Sequence, residues 1–543
     1  MILSRTMAFL AAFLFAAAPS QAQTGIMLPI YVNGQVNPSM AAFLAGLSPG
    51  FVPNSALAPA ASPTIKSNIS GGSASPSDNS PSSIWDSLCG TAVGQFWVRQ
   101  TGGWGCTSLG YANPVWWGAD PGASDNSSAF NSALAASQTV AFPAGTFKMA
   151  SAISYSIPAG ITSVAIKGRG QDITNLTWPN VSGGLTINYN STTSSAHIRD
   201  LSLTTSQVGS GTALTLALAS SVANPANTAV SDVYRVTIRG ADGWAATDYW
   251  SNAISVNNVS NIQFDDISLI GSSASQGTGL SLTGLAGSST YAVQFNISKS
   301  TIQYLNVGIS YGSYLQGVTV DQTNFTGNNY GIFANSGLTG SLLQLTVANS
   351  QFNCFKFGIV TSTAIGNIAV NNNLFIANGA NSVGIQLVED NDTISGNFMS
   401  GTTTTGTIGV VILTGSGGTT INDNWITGLG TGIDIVSGTG ILIHNNQFGG
   451  NSANISNSGT ATIFNNPGYN PVGAFGITVT ASPFTYTAGS SPETVYIYSG
   501  TVSLVTVGGA TACASSPCSV QLDPAKSVIV TYSVAPSMNK YIH

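Results

Sequence analysis

One stretch of the sequence gathers the residue types needed for acid–base chemistry on a sugar. Residues 233–254 read VYRVTIRGADGWAATDYWSNAI, in a chain in which only 6% of residues are charged. Carboxyl groups can act as general acid and base, and flat aromatic rings can stack on sugar faces. We therefore take Arg239, Asp242 and Asp248 as candidate catalytic residues, and Trp244, Tyr249 and Trp250 as candidate substrate-binding residues. The alternative is that the two tryptophans close a hydrophobic corner and the acids are solvated.

Other acids fall close by or stand alone. Asp265 and Asp266 follow in the next repeat unit and complete the candidate catalytic set. Asp423 and Asp434 lie in TINDNWITGLGTGIDI, where the surrounding pattern predicts a rung of a scaffold, so we expect both to be solvated. The three histidines, at 197, 444 and 543, are far apart and the cysteines form no CxxC motif, which makes a zinc site improbable. The identity of any metal stays open.

Composition narrows the class of protein. The 543 residues include 62 glycines and are 43% hydrophobic, which excludes a disordered chain. The net charge is −6, with no basic cluster, so we expect no nucleic acid partner.

The first residues, 1–22, read as a secretory signal peptide: one Arg, an apolar stretch, then small residues. Nothing later is long and apolar enough to span a membrane. We expect a secreted protein, extracellular, on the cell surface or periplasmic, with disulfides Cys89–Cys106 and Cys513–Cys518 and a buried, free Cys354.

A repeat dominates the middle of the chain. An apolar anchor residue returns every 20 to 35 residues, and another apolar residue follows five positions later in every unit but the last. The anchors are Ile198, Val233, Phe264, Ile297, Val320, Val347, Val370, Ile394, Ile421, Ile443 and Ile463. Short strands with no helical period predict an all-β, single-stranded parallel β-helix.

An asparagine follows the last five of the regular anchors by three residues. These asparagines are Asn373, Asn397, Asn424, Asn446 and Asn466. A buried amide is costly unless its hydrogen bonds are satisfied, and stacked coils can satisfy them. We therefore predict an internal asparagine ladder.

The domain boundaries follow from composition. We predict an Ala/Pro/Ser/Gly-rich linker at 23–84, a small connector module at 85–110, the β-helix at 111–472, and a small C-terminal β-sandwich at 473–543, where apolar and polar residues alternate.

The front of the predicted rod resembles the pectate lyase superfamily, whose fold is a right-handed β-helix shared by pectinolytic enzymes, polygalacturonase-like proteins and many phage tailspikes. The matching segments are WGADPGASDNSSAFNSALAASQTVAFPAGTFKM and VAIKGRGQDITNLTW, between residues 117 and 178. A short helix there, capped by Asp125 or Asn126, would cover the open end of the rod. The resemblance implies a right-handed β-helix and a polysaccharide partner.

The chain departs from the enzymes of that superfamily. The polygalacturonase-like Asp–Asp pair is absent at the matching positions of five regular coils, and so is the Gly-His-Gly stretch. If the protein is a lyase, the resemblance implies Ca²⁺ held by Asp242, Asp248, Asp265 and Asp266 beside Arg235 or Arg239.

Two functions remain open: an enzyme that hydrolyses or β-eliminates polysaccharide, and a non-catalytic surface or tailspike-like protein that binds glycans. The segment at 64–117 and the C-terminal strands are similar to parts of phage tail fibre-like proteins. By analogy with tailspikes, the resemblance implies a homotrimer.

Overall fold

The computed structural model describes strands at 65–67, 77–79, 95–100 and 103–108, and residues 110–543 apart from 181, 221–224, 288–289, 335–337, 339–342, 362–364, 389–390, 415–416 and 471–472. The predicted signal peptide, most of the predicted linker and Cys89 lie outside these residues. The chain divides into two compact units, 1–117 and 118–543. In the first, β1 (Ile65–Ser67) pairs with β2 (Ser77–Asn79), and β3 (Gln95–Gln100) with β4 (Gly103–Ser108), both antiparallel. A 3-10 helix spans Pro114–Trp117.

The second unit opens with helix α1, Ser127–Ala136. The Asp125 carboxylate accepts the Ser127 N–H at 2.8 Å, while Asn126, the residue before the helix, accepts the Asp120 N–H at 2.7 Å and does not cap the helix with its side chain. Phe130 on α1 is fully buried edge-on against Phe142, with ring centroids 4.9 Å apart. The helix therefore packs on the first coil of the rod by its apolar face.

The rod is one continuous wrapped sheet of 33 parallel strands. Its irregular first half consists of β5 (Thr139–Ala141), β6 (Gly145–Lys148), β7 (Ile153–Ser156), β8 (Ser163–Lys167), β9 (Thr174–Trp178), β10 (Leu185–Tyr189), β11 (Ser195–Thr205), β12 (Val208–Leu218), β13 (Ser231–Gly240) and β14 (Tyr249–Asn257). A second 3-10 helix, Pro225–Asn227, precedes β13. The coil β5–β7 and the coil β8–β10 precede the first anchor that the sequence predicted, Ile198, and Val140 and Ile166 are their anchors in register.

The remaining strands of the rod are β15 (Ile262–Asp265), β16 (Ser268–Ile270), β17 (Thr278–Thr283), β18 (Ala292–Ser298), β19 (Thr301–Gln303), β20 (Val307–Tyr311), β21 (Leu315–Asp321), β22 (Asn324–Ala334), β23 (Leu343–Ala348), β24 (Gln351–Thr361), β25 (Gly366–Asn371), β26 (Leu374–Ala377), β27 (Val383–Leu387), β28 (Thr393–Ser395), β29 (Phe398–Gly401), β30 (Ile408–Ile412), β31 (Thr420–Asn422), β32 (Trp425–Thr427), β33 (Thr431–Ile435), β34 (Ile441–His444), β35 (Gln447–Gly449), β36 (Ala453–Asn457) and β37 (Ala461–Phe464).

Each regular coil contributes one strand to each of three faces. Face A holds the anchor strands, such as β15, β18 and β28; face B the strands five residues on, such as β16, β19 and β29; and face C the next strands, such as β17, β20 and β30. Equivalent strands pair in parallel, with local register shifts in the β12–β14 and β22–β24 pairs, and this is the right-handed parallel β-helix that was predicted. Phe325, Phe352 and Phe375 stack inside it at 4.5 and 4.8 Å.

The five asparagines form a ladder at the turn between face A and face B. Asn424 is 1% exposed; its side-chain oxygen accepts both the backbone N–H and the amide of Asn397, at 2.9 Å each, and its own amide donates to Asn446 at 2.9 Å. The ladder continues toward the N-terminus as the hydroxyl side chains of Ser350 and Ser300, which accept backbone N–H groups of the preceding coil. Stacking in register thus satisfies the buried polar side chains of the ladder.

The residue before each ladder position has a left-handed backbone. This turn column includes Asp200, Arg235, Asp266, Lys299, Gln322, Asn349, Asn372, Asp423, Asn445 and Asn465, with φ between 48° and 58°. Asp and Asn tolerate this conformation better than most residues because their short side chains can bond locally. The presence of Asp266 and Asp423 therefore has a backbone explanation.

The C-terminal strands form two four-stranded antiparallel sheets. They are β38 (Gly473–Ile477), β39 (Phe484–Thr487), β40 (Glu493–Tyr498), β41 (Thr501–Val507), β42 (Ala510–Cys513), β43 (Cys518–Leu522), β44 (Ser527–Val534) and β45 (Ser537–Ile542). The sheet orders are β38-β45-β40-β43 and β39-β44-β41-β42, around a core that includes Val495, Val505 and Val530. The Cys513–Cys518 disulfide connects the two sheets of this β-sandwich, and Cys354 is a free, buried thiol. The predicted partner of Cys106, Cys89, lies outside the described residues, so that pairing stays a prediction.

Candidate functional site

Two acids of the predicted set share one loop. Residues 241–248 connect β13 on face B to β14 on face C, and they include Asp242 and Asp248. The Asp242 carboxylate accepts the backbone N–H groups of Thr247 at 2.8 Å and Asp248 at 3.2 Å. These bonds close the loop on itself, so that the loop is held by an acid rather than by an apolar contact.

The two carboxyl groups have different surroundings. Partial burial raises the pKa of Asp248, and the nearby charge of Asp242 raises it further. Asp242 is exposed and its carboxylate is held by two backbone donors. Two carboxyl groups in one loop, one with a raised pKa and one held by backbone donors, are the kind of pair that general acid–base catalysis uses.

The aromatic side chains of the loop separate into one exposed ring and two wall residues. Trp244 is 50% exposed, and its indole N–H donates to the Gln303 side chain at 3.4 Å, which holds the ring over face B. Tyr249 is half-buried. Its hydroxyl lies close to Gly209, since a Cβ atom built at that glycine would be only 3.1 Å from it. Trp244 is thus the ring available for stacking on a ligand.

The prediction that Trp250 binds substrate is corrected by its burial. Trp250 is 2% exposed, lies edge-on to Trp178 at 6.0 Å between centroids, and donates to the Leu203 carbonyl at 3.4 Å. It is a core residue because β14 directs it inward, as the alternative of a hydrophobic corner anticipated.

Arg239 is held by an acid that the sequence reasoning did not single out. Its guanidinium pairs with Asp172 at 3.0 Å and donates to the Gly240 carbonyl at 2.7 Å, and its side chain is 17% exposed. Asp172 is itself held by the Ser202 hydroxyl at 3.1 Å. Arg239 therefore braces the start of the loop, with its charge already paired.

Asp265 and Asp266 do not join the pair in the loop, contrary to the predicted set. Asp266 occupies the turn column level with Arg235, and Asp265 accepts the Ser298 hydroxyl at 2.7 Å and pairs with Lys299 at 3.7 Å. The five residue steps from Arg235 to Gly240 separate that turn from the loop, roughly 16 Å of strand. The two acid pairs lie at opposite ends of a face B strand.

A Ca²⁺ ion shared by these four carboxylates does not fit this arrangement. The acids lie at two ends of a strand, and Asp265 is engaged by Lys299. Within the described part of the chain, no group of three or more His, Cys, Asp or Glu side chains is arranged to hold a metal ion. We derive no step through Ca²⁺.

Sequence reasoning missed a charged cluster on the outer surface of face A. Arg199 holds Asp232 with two hydrogen bonds of 2.6 and 2.7 Å, and His197 Nδ1 makes a very short hydrogen bond to the same carboxylate. Burial alone would raise the pKa of Asp232, but the bonds from Arg199 and His197 lower it to about 2. The sequence does contain a pattern that predicts this cluster. His197 and Asp232 each immediately precede an anchor residue, so they lie side by side on neighbouring coils.

Asp423 and Asp434 lie apart from these clusters, with no acid at the matching positions of the neighbouring coils. Asp434 lies level with Val411 and Ser456 of the neighbouring coils, and Asp423 is an exposed residue of the turn column. Both fit the predicted role as outward residues of a scaffold.

Comparison with known proteins gives matches of limited extent. A family model described as periplasmic copper-binding protein (NosD) matches residues 251–477, less than half of the chain. No curated protein sequence matches. Among solved structures, tailspike protein 3 of bacteriophage CBA120 is 13% identical with a TM-score of 0.47, and the match covers 69% of this chain and 61% of the tailspike.

Two further structures are similar at the same level. Pre-mature gene product 12 of bacteriophage phi29 is 13% identical with a TM-score of 0.47, over 66% of this chain and 56% of the other. DFA-IIIase of Arthrobacter chlorophenolicus A6 is 12% identical with a TM-score of 0.41, over 63% and 94%. The chain thus spans about three fifths of the tailspike that it matches, and these identities concern the fold alone.

Proposed function

We propose that this β-helix protein binds a polysaccharide across the loop at 241–248 and cleaves it there. The observation that carries the proposal is the pairing of Asp242 and Asp248, in one loop beside the exposed ring of Trp244. Asp248, with its raised pKa, would donate a proton to the leaving oxygen. Asp242 would act as the charged partner.

The position of the loop supports this role. It joins faces B and C, and it is anchored by the Arg239–Asp172 ion pair and by buried Trp250. A loop with a fixed base can hold catalytic groups in place, since catalysis needs oriented side chains rather than mobile ones. Trp244 offers a flat face for a sugar ring, and the Gln303 amide beneath it can bond hydroxyl groups.

A second candidate function is non-catalytic glycan binding. The observation that favours it is that Arg239 is already neutralised by Asp172, which leaves the loop without a free cation to stabilise an acidic sugar. In that case Trp244 alone would provide affinity, and the acids would only shape the loop.

Extracytoplasmic location is the third part of the proposal. The Cys513–Cys518 disulfide suits an oxidising compartment, as does the periplasmic description of the family that matches 251–477. In the described residues no helix is long and apolar enough to cross a membrane. Copper is not part of the proposal, because the matched segment contains one His, His444, and one Cys, the buried Cys354.

The experiment is a panel of acidic and neutral polysaccharides incubated with the mature protein, with reducing ends and unsaturated ends measured separately. Reducing ends alone indicate hydrolysis, and unsaturated ends indicate elimination. Retention on immobilised polysaccharide, measured in parallel, identifies binding without cleavage.

The variant Trp244→Ala tests the location of the site. It should weaken binding to the polysaccharide identified in the panel by at least tenfold, about 1.4 kcal/mol. Trp425→Ala, which removes a half-exposed ring elsewhere on face B, should leave binding unchanged. Equal loss in both variants would contradict the location of the site.

A further inference from the structure

The charged cluster on face A contains a second arrangement with catalytic geometry. Ser195 and His197 stand two residues apart on β11, so their side chains leave the same surface of the strand. Asp232 lies on the adjacent strand β13, directly opposite His197 in register. The order is therefore hydroxyl, imidazole and carboxylate across one outward patch.

The hydrogen bonds fix the roles of the three groups. Asp232 is held as a carboxylate by two bonds from Arg199, so it accepts the proton on His197 Nδ1. A neutral imidazole with Nδ1 protonated presents its lone pair at Nε2. His197 Nε2 lies 3.3 Å from Ser195 Oγ, within reach of a base that receives a hydroxyl proton. The Ser195 hydroxyl also donates to the Thr162 carbonyl at 3.2 Å, so it must rotate from that bond to give its proton to His197.

We propose that Ser195, His197 and Asp232 form an esterase-type site that hydrolyses small acyl esters, such as acetyl groups on a polysaccharide hydroxyl. Ser195 and His197 are the catalytic residues, and Asp232 and Arg199 position the imidazole. Ser195 is only 7% exposed and the side chain of His197 is 26% exposed, and this limited access to the hydroxyl favours a small acyl group over a long chain. This proposal does not depend on cleavage at the 241–248 loop.

The reaction balances with water as the second substrate. Ser195 Oγ bonds to the ester carbonyl carbon as its proton moves to His197 Nε2, and the alcohol oxygen leaves with that proton. Water then attacks the acyl group on Ser195, giving its proton to Nε2. Ser195 Oγ leaves and takes the proton back, which releases the carboxylic acid.

The backbone around the serine sets the expected rate. The N–H of Ser195 donates to the Thr162 carbonyl at 2.9 Å, and the N–H of Ala196 donates to the Ser231 hydroxyl at 3.1 Å. Neither is free to stabilise the oxyanion, which is usually the largest contribution to such catalysis. We therefore expect slow turnover, best detected as covalent labelling rather than as product.

The test is labelling of the full mature protein with a fluorophosphonate probe, with the labelled peptide located by mass spectrometry. Ser163 provides a matched control, because it lies beside Ser195 in register on β8. The expected result is one label, on Ser195, which is lost in Ser195→Ala and retained in Ser163→Ala and Asp248→Asn. In His197→Gln the labelling rate should fall at least tenfold.

Two outcomes overturn the proposal: no label on the folded wild-type protein, or a label on a different serine. Circular dichroism of each variant checks that the β-helix is intact. Release of acetate from acetylated polysaccharide by wild type and not by Ser195→Ala would extend the result to substrate. If Ser195→Ala still cleaves the polysaccharide chain and Asp248→Asn does not, cleavage belongs to the loop at 241–248 and not to Ser195.

Discussion

The acids of the rod divide at the residue scale according to why each one is there. Asp200, Asp266 and Asp423 occupy the turn column, where a left-handed backbone favours Asp. Asp172 and Asp232 neutralise arginines, at 3.0 and 2.6 Å. Asp248 belongs to neither group, since burial and a neighbouring acid raise its pKa. This contrast singles it out for proton transfer.

The network around Asp232 predicts a pH dependence of stability. The folded-state pKa of Asp232 is about 2, below the ordinary value of 3.8 for an aspartate, so its stabilising contribution is present above the unfolded value and is lost as the pH falls toward 2. Asp232→Asn should cost about 2 kcal/mol at pH 6, because it leaves Arg199 and His197 without their acceptor. Between pH 6 and pH 3 the difference in the free energy of unfolding between wild type and Asp232→Asn should narrow by about 1 kcal/mol. Urea unfolding at each pH measures it, and a difference that is constant or widens on acidification would contradict the assignment.

The asparagine ladder is the element that holds successive coils in register. Each amide bonds to the coils on both sides. Removing one asparagine therefore leaves polar groups unpaired in the neighbouring coils as well, and the stabilisation by the ladder is cooperative. The ladder ends at Asn470, which donates to Ser491 at 3.0 Å at the start of the β-sandwich. The rod and the sandwich are thus connected through the same chain of polar groups.

Replacing one rung should destabilise the rod measurably. Asn424→Leu removes the acceptor of two Asn397 bonds and the donor to the Ile394 carbonyl at 2.9 Å, leaving buried groups unpaired. The expected loss is about 1–3 kcal/mol in the free energy of unfolding. Asn422→Ala, at the end of the preceding strand β31 and only partly buried, is the control and should change the free energy of unfolding by less than about 0.5 kcal/mol. Equal effects in the two variants would show that the ladder does not stabilise the rod.

The periodicity of the sequence predicted the regular coils of the rod and their asparagine ladder, but it did not predict the conformation of the irregular loops. The anchor Ile421 and the apolar residue five positions later, Ile426, are fully buried, because inward positions of stacked strands recur at fixed offsets. Ser300 and Ser350 were missed as rungs because hydroxyls replace amides there. Trp250 was misplaced because a loop of unknown length precedes its strand, which leaves inward and outward undetermined. The convergence of Asp242 with Asp248, and the separation of both from Asp265, depend on loop conformation that residue types do not encode.

At the scale of the whole molecule, the redox state of the cysteines tests the proposed extracytoplasmic location. Cys513–Cys518 is a disulfide, and burial raises the pKa of the Cys354 thiol, which makes it unreactive in the folded state. If Cys89 and Cys106 also pair, the folded protein should not react with a thiol reagent, and the denatured protein should react with one equivalent. Peptide mapping without reduction should identify Cys354 as that thiol, and five free thiols would contradict export. The predicted homotrimer stays a prediction, which sedimentation equilibrium would check.

The most direct measurement of the central claim is kcat/KM for polysaccharide cleavage by wild type, Asp248→Asn and Asp434→Asn. Asparagine keeps the shape of each side chain but cannot donate or accept the catalytic proton. We predict that Asp248→Asn lowers kcat/KM at least tenfold, about 1.4 kcal/mol of transition-state stabilisation, while Asp434→Asn, outward on β33, leaves it unchanged. Loss of activity in Asp434→Asn with retention in Asp248→Asn would contradict the assignment of the site to the loop at 241–248.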